Sequence, residues 1–180
     1  MKTFMRIVVG SALGVLIALP NLHATVLNAC NKQALVGEWN INATGYLSLI
    51  PGVPFPITTG DSLPVLAAGK AVYKVLPNGQ GEVRGFTTDV IGGISEVEVP
   101  FVGEYSMGLK NIGGTNVCVG DIKLESFHDA EHGGPHWHCF QVMPSRLFEE
   151  FKYISYPCPE GYPQGGGFEA IQGISQRDKF

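Results

Sequence analysis

The sequence predicts an all-β domain, a single closed antiparallel barrel of about eight strands, with a two-sheet sandwich as the alternative. Gly and Pro account for 24 and 12 of the 180 residues, so turns are frequent and long helices are not expected. Alternation of apolar and polar residues dominates the chain, whereas helical periodicity is scarce. No repeat or shift in composition marks a second domain. Closure into a barrel is favoured because an exposed sheet edge is a liability.

Composition and charge exclude several classes of protein. Hydrophobic residues make up 44% of the chain and charged residues 16%, which is unlike a disordered protein. The 12 basic and 16 acidic side chains give a net charge of −4, so a nucleic-acid partner is not expected. After residue 24 no stretch is apolar over the roughly 20 residues that a membrane-spanning helix needs.

The N-terminal segment 1–24 has the features of a secretory signal peptide. A basic start precedes the apolar run 7–19, and Ala24 offers a small residue for cleavage. An uncleaved anchor is the alternative. The sequence therefore predicts a secreted or periplasmic protein whose single barrel domain spans 25–180.

Four cysteines, all after the predicted cleavage point, indicate two structural disulfides in an exported protein. Three connectivities are open, and a Cys30–Cys158 bridge would tie the two ends of the domain together. No CxxC spacing is present, which argues against thiol catalysis. The four are Cys30, Cys118, Cys139 and Cys158.

The first half of the chain predicts three strands. Segment 34–49 opens with an alternating run, and segment 50–69 is predicted to be an irregular connection because it contains four prolines and three glycines. Segment 70–76 is a strand by alternation, and segment 82–88 returns beside it after a tight Asn78-Gly79 turn.

The second half predicts five more strands. In 95–106 apolar residues alternate with acidic ones, which predicts one buried and one solvent-facing side. The apolar set is Val97, Val99 and Phe101, and the acidic set is Glu96 and Glu98. Pro100 favours a bulge or an edge there. The same logic predicts strands at 117–127, 137–143, 147–156 and 168–175, the last of which closes the sheet.

The Gly37-Glu38-Trp39 run on the first strand resembles the G-x-W signature of lipocalins and other calycins. In that family the Trp packs across one end of the barrel. The second lipocalin motif, T-D-Y, is not matched, because Thr88-Asp89-Val90 comes early and lacks the Tyr. With its Gly103-Glu104-Tyr105 strand the chain is also similar to small exported bacterial proteins regarded as calycin-like or allene-oxide-cyclase-like barrels. This resemblance implies a fold and, by itself, no activity.

All four histidines that follow the leader fall between residues 128 and 138. Zinc and copper prefer neutral imidazole nitrogen, and three such ligands suffice for a site. Two of them, His136 and His138, share one face if they lie on a strand, and His128 and His132 pair if 127–132 forms a helical turn. The alternative is an exposed polar loop with no ligand. Zinc or copper is therefore a candidate cofactor.

Aromatic side chains on the predicted strands offer a lining for an apolar pocket. They could equally fill the interior, because an eight-stranded barrel is only just wide enough for its own side chains or one small ligand. The candidate ligand-binding residues are Trp39, Tyr46, Tyr73, Phe86, Phe101, Tyr105 and Phe140.

Three functions follow from these features. The first is a monomeric exported barrel that binds a small apolar molecule, and the second is a metal-binding protein that uses the histidine cluster. The third is a cofactor-free barrel enzyme acting on a hydrophobic substrate. Neither a nucleophile elbow nor a phosphate-binding loop is present in the sequence, so no catalytic residues are predicted.

Overall fold

In the computed structural model, which describes residues 29–49, 62–128, 134–145, 147–159 and 167–178, eight antiparallel strands form a closed barrel. Each strand pairs with its neighbours in sequence, and the last pairs with the first. A short 3-10 helix, Lys32–Leu35, precedes the barrel. The predicted barrel is confirmed, and the sandwich is not formed. The strands are β1 (Gly37–Leu49), β2 (Ser62–Val75), β3 (Gly81–Ile91), β4 (Ile94–Ile112), β5 (Thr115–Phe127), β6 (Pro135–Pro144), β7 (Glu150–Ser155) and β8 (Gly167–Arg177).

The predicted tight turn joins β2 to β3. Gly79 has a φ of 81°, which an L side chain rarely adopts, and its N–H donates to the carbonyl of Leu76. Glycine pairs form the next two hairpin turns along the chain, at 92–93 and 113–114. The last of these lies beyond the predicted strand ends, so the β4–β5 hairpin is longer than the sequence indicated.

The prediction of an irregular connection over 50–69 is wrong for its last part. β2 begins at Ser62, and Leu66 pairs with both Thr44 and Val90. Leu63 and Val65 are buried, so apolar alternation already holds in this stretch, although its prolines and glycines predicted a loop. Residues 50–61 lie outside the described residues.

A β-bulge interrupts the pairing of β3 with β4 near the end of the barrel that carries the β3–β4 turn. Thr87 pairs with Val99, but the next pair on the same face is Asp89 with Glu96, so β4 contains one extra residue. Glu98 lies in this bulge with a φ of 57°, in the left-handed region that costs a non-glycine residue about 1 kcal/mol or more. Bulges of this kind re-aim side chains.

The bulge reverses the predicted faces at the start of β4. Val97 is 69% exposed, whereas the side chain of Glu96 is 12% exposed and points inward. The prediction that Val97 is buried and Glu96 solvated is therefore wrong. Val99 and Phe101, beyond the bulge, are buried as predicted. Pro100 lies just past the bulge, close to the irregularity that it favoured.

Large rings fill the barrel near the N-terminal helix. The ring of Trp39 lies 4.8 Å from that of Phe151 and 6.3 Å from that of Tyr73, measured between centroids. Tyr73 in turn packs edge-on against Tyr105 at 5.2 Å. Fully buried Leu35, from the 3-10 helix, belongs to the same core. We call this the tryptophan end of the barrel.

Two disulfides join the four cysteines, Cys30 to Cys118 and Cys139 to Cys158. The structural role is as predicted, but the Cys30–Cys158 bridge that would tie the two ends is not formed. Two disulfides indicate an oxidising environment. The predicted leader, 1–24, lies outside the described residues. Among the residues that are described, no helix is long and apolar enough to cross a membrane.

Three buried tyrosines make the fold sensitive to alkali. Burial raises the pKa of Tyr105 to about 12 and also raises the pKa of Tyr73 and of Tyr153. Because the folded state disfavours the phenolate, the stabilising contribution is fully present below pH ~10 and is lost as the pH rises towards the folded pKa values. We expect unfolding to begin between pH ~10 and about 12, with tyrosinate absorbance and loss of near-UV circular dichroism rising together.

A variant separates this effect from general alkaline damage. Tyr105→Phe removes one ionisable group together with the hydrogen bond from its hydroxyl to the Lys32 carbonyl. Its stability at neutral pH should fall by about 1 kcal/mol, while its alkaline midpoint moves to higher pH. An alkaline midpoint that moves down in step with the neutral-pH stability contradicts the assignment.

Candidate functional site

Three histidines enter the barrel interior at the end opposite Trp39, which we call the histidine end. His136 and His138 lie two residues apart on β6, so strand alternation points both rings inward. Their partners on β5 are Ser126 and Leu124. His128 follows directly after β5 and is 6% exposed. The predicted shared face of His136 and His138 is therefore present.

The three imidazoles converge. Each offers one nitrogen within 4.8 Å of the nitrogens offered by the other two. The rings of His128 and His136 are stacked with centroids 4.7 Å apart, and those of His136 and His138 are 4.5 Å apart. These rings line the interior rather than an exposed loop. His132, the fourth predicted ligand, lies outside the described residues.

Hydrogen bonds orient two of the rings. His128 Nδ1 lies 2.7 Å from a carboxylate oxygen of Glu96, and His136 Nδ1 lies 3.0 Å from the carbonyl oxygen of Gly134. Both acceptors require a proton on Nδ1, so in the neutral rings the lone pair is on Nε2. A second nitrogen held in this way is typical of metal-binding histidines.

The third ring contacts a hydroxyl group. His138 Nε2 lies 2.8 Å from Ser126 Oγ, and the carbonyl of His136 lies 3.5 Å from the same oxygen. Ser126 is 4% exposed and comes from the strand beside β6. This contact ties the ring of His138 to β5.

Two carboxylates border the histidines. Glu96 faces inward because of the bulge in β4, and it pairs across the sheet with Asp89 of β3. Asp89 Oδ2 lies 3.8 Å from His128 Nε2 and accepts a hydrogen bond from Thr87 Oγ1 at 3.1 Å. The site thus combines three imidazoles with two acidic groups.

Asp89 is unusually buried for a carboxylate. It is 8% exposed, and its Oδ1 atom is buried without a hydrogen-bond partner among the described residues. Burial raises the pKa of Asp89, although Thr87 and the nearby His128 and His138 act in the opposite direction. A buried oxygen with no partner typically costs about 1–3 kcal/mol. Such a group is expected where a ligand or ion completes the site.

The aromatic residues predicted to line a ligand pocket divide into two groups. Five face the interior, where most pack against other rings: Trp39, Tyr73, Phe101, Tyr105 and Phe140. Tyr46 and Phe86 lie on the outer surface, 58% and 42% exposed, and do not line the interior. Trp39 and Val83 face the interior, and side chains alternate between the two faces of a strand. Tyr46 and Phe86 lie an odd number of residues from them on the same strands, so they face outward.

A column of rings connects the histidines to the tryptophan end. His138 stacks with Phe140 at 6.1 Å, and Phe140 packs edge-on against Tyr153 at 5.4 Å. Tyr153 also donates a hydrogen bond to the carbonyl of Asn42, at 3.0 Å. Gly173 makes room for that ring, since a Cβ there would lie 2.3 Å from Tyr153 Cζ. The polar site therefore rests on an apolar, aromatic interior.

Asp89 and Glu96 were not predicted from the sequence as site residues. A signal for Asp89 was present, because it lies six residues after Val83 and hence on the same face of β3, but the predicted strand ended at Thr88. No comparable signal existed for Glu96, since its direction depends on the extra residue in β4.

Comparison of the chain with models of protein families, with curated proteins and with solved structures finds no match. The resemblance to calycins therefore stays a prediction beyond the barrel itself.

Proposed function

We propose that this protein binds one divalent transition-metal ion, zinc or copper, through His128, His136 and His138. The observation that carries the proposal is the convergence of three imidazoles whose ligand nitrogens lie within 4.8 Å of one another. A tetrahedral zinc ion with bonds of about 2.0–2.1 Å holds its donors roughly 3.4 Å apart. Side-chain adjustments of about an ångström would bring the nitrogens to that spacing.

The groups around the rings support the same function. The Glu96 carboxylate and the Gly134 carbonyl accept from Nδ1 of two histidines, which fixes each ring and raises its basicity as a ligand. Three histidines with nearby carboxylates suit zinc and copper better than calcium or magnesium, which take oxygen ligands. The donor set thus points to a borderline transition metal.

Export of the protein is part of this proposal. The basic and apolar pattern of 1–24 and the two disulfides support a secreted or periplasmic location. Metal binding would then occur in an oxidising compartment, where the cysteines are held in disulfides and imidazole is the strongest neutral ligand that this chain offers.

Zinc titration of the oxidised protein tests the proposal. Native mass spectrometry should show one ion bound, and zinc at 100 times its dissociation constant should stabilise the fold by about 2.7 kcal/mol. The double variant His136→Ala/His138→Ala should lose both effects, because it removes two of three ligands.

A variant on the other face of β6 is the matched control. Trp137 lies between the two histidines in sequence but points outward, so Trp137→Phe should bind zinc as the wild type does. A wild-type protein that takes up neither zinc nor copper contradicts the proposal. So does a double-alanine variant that binds zinc with unchanged affinity.

The other interpretations of the sequence stay predictions. Binding of a small apolar molecule is tested by displacement of a fluorescent fatty acid, which the double-alanine variant should not affect. Enzymatic activity on a hydrophobic substrate and the monomeric state are predictions of the same standing. The ring packing at the tryptophan end favours a filled interior there, which leaves the histidine end as the better supported site.

A further inference from the structure

The ring of His128 faces the carboxylate of Asp89 across a short gap. Because Nδ1 donates to Glu96, the neutral ring turns an Nε2 lone pair towards the Asp89 carboxylate, 3.8 Å away. Two lone pairs that face each other across such a gap are suited to bind one cation between them. Bonds of about 2.0–2.2 Å at the tetrahedral angle hold two donors roughly 3.3–3.6 Å apart, so a side-chain adjustment of a few tenths of an ångström brings these two atoms to one zinc ion.

One oxygen of the Asp89 carboxylate is available as a ligand. Asp89 Oδ2 accepts from Thr87, but Oδ1 is buried and has no hydrogen-bond partner among the described residues. The inward positions that precede Asp89 on β3 carry no charge, since Val83 is apolar and fully buried and Thr87 is a neutral hydrogen-bond donor to Asp89. The burial of this carboxylate is explained if it ligates an ion.

We infer that Asp89 is the fourth ligand and that the site holds zinc in a closed set of three imidazoles and one carboxylate. This inference rests on the proposed function and adds to it. Four protein donors complete a tetrahedral zinc shell, whereas a catalytic zinc site keeps one position for water. The hard carboxylate oxygen favours a divalent ion over cuprous copper, which prefers soft ligands. Glu96 acts through His128 as a positioning residue.

Cobalt(II), whose visible absorption reports coordination number and exogenous ligands, is the probe for this geometry. The cobalt-loaded wild-type protein should show a tetrahedral spectrum that does not change when azide is added. The Asp89→Asn variant, in which the amide is a much weaker ligand, should respond to azide because water or azide enters the fourth position. Its zinc affinity, measured by competition with a chelator, should fall at least about 100-fold.

Glu98→Gln is the matched control, since it removes the same charge from the outer side of the β4 bulge. It should leave the zinc affinity within about twofold of wild type, as expected for an exposed charge screened by solvent. Thermal melting of metal-free Asp89→Asn verifies that the variant folds. The azide test on wild-type protein needs no variant at all.

The outcomes separate the two proposals. A wild-type cobalt spectrum that shifts with azide, or an Asp89→Asn variant that binds zinc as tightly as wild type, overturns the fourth ligand and leaves the histidine site standing. Wild-type protein that binds neither zinc nor cobalt overturns the proposed function and this inference with it.

Discussion

Replacing Trp39 by alanine is expected to lower the free energy of unfolding by about 3–5 kcal/mol, the range for truncation of a large aromatic core residue. The side chain is fully buried, and its ring packs against Phe151 and Tyr73. Its Nε1–H donates to the carbonyl of Leu35 at 2.7 Å, so the substitution also strands a buried acceptor. Urea unfolding monitored by far-UV circular dichroism measures the loss.

Arg177 adds a second contact that the same substitution removes. Its guanidinium carbon lies 4.8 Å from the centroid of the Trp39 ring, while its nitrogens donate to the carbonyls of Ala34, Val36 and Phe148. Arg177 thus binds the end of the 3-10 helix through hydrogen bonds and contacts the Trp39 ring through its guanidinium group. Trp137→Ala, a substitution of the same type at a half-buried outer position, should cost clearly less. Equal losses would contradict the larger contribution to stability that is assigned to Trp39.

Loss of the Cys30–Cys118 disulfide is expected to be nearly as damaging. The bridge spans 88 residues, and in the chain-entropy account a loop of this length stabilises the fold by about 4.5 kcal/mol. It also anchors the segment just before the 3-10 helix, which closes the tryptophan end. The paired Cys30→Ala/Cys118→Ala variant should show this loss in chemical denaturation.

The second bridge supplies the matched comparison. Cys139 and Cys158 are separated by 19 residues, so the corresponding double alanine variant should lose about 3 kcal/mol. The two loops do not overlap in sequence, and their effects should add. A larger loss from the shorter loop would show that the entropy of the unfolded chain does not control the ranking.

Most of the fold was predicted from the alternation of apolar and polar residues along the strands. The inward phase of each strand could be recognised wherever apolar residues alternate without interruption, as around Tyr73 and Val83, and closure followed from the cost of an open edge. The same alternation predicted that His136 and His138 share one face. The start of β2 was not predicted because Pro64 indicated a loop, although the flanking Leu63 and Val65 are buried as in a strand.

The rest of the site depends on relations between strands that a single sequence does not display. Whether Glu96 or Val97 faces inward is decided by the count of residues in β4 against β3. The role of Asp89 depends on Glu96 of the adjacent strand β4 and on His128, which follows β5. The disulfide pairing was open among three connectivities, since each requires distances that only the folded chain provides.

The bulge in β4 makes the pairing register of that strand a determinant of the chemistry at the histidine end. With uninterrupted pairing between β3 and β4, a valine would stand opposite Asp89, and His128 would have an apolar neighbour in place of a carboxylate. A shift of one residue in the register of β4 against β3 therefore exchanges the Glu96 carboxylate beside His128 for an apolar side chain, without any change in the residues that line the other strands. The pairing register of β4 thus affects the site as directly as the identity of its ligands does.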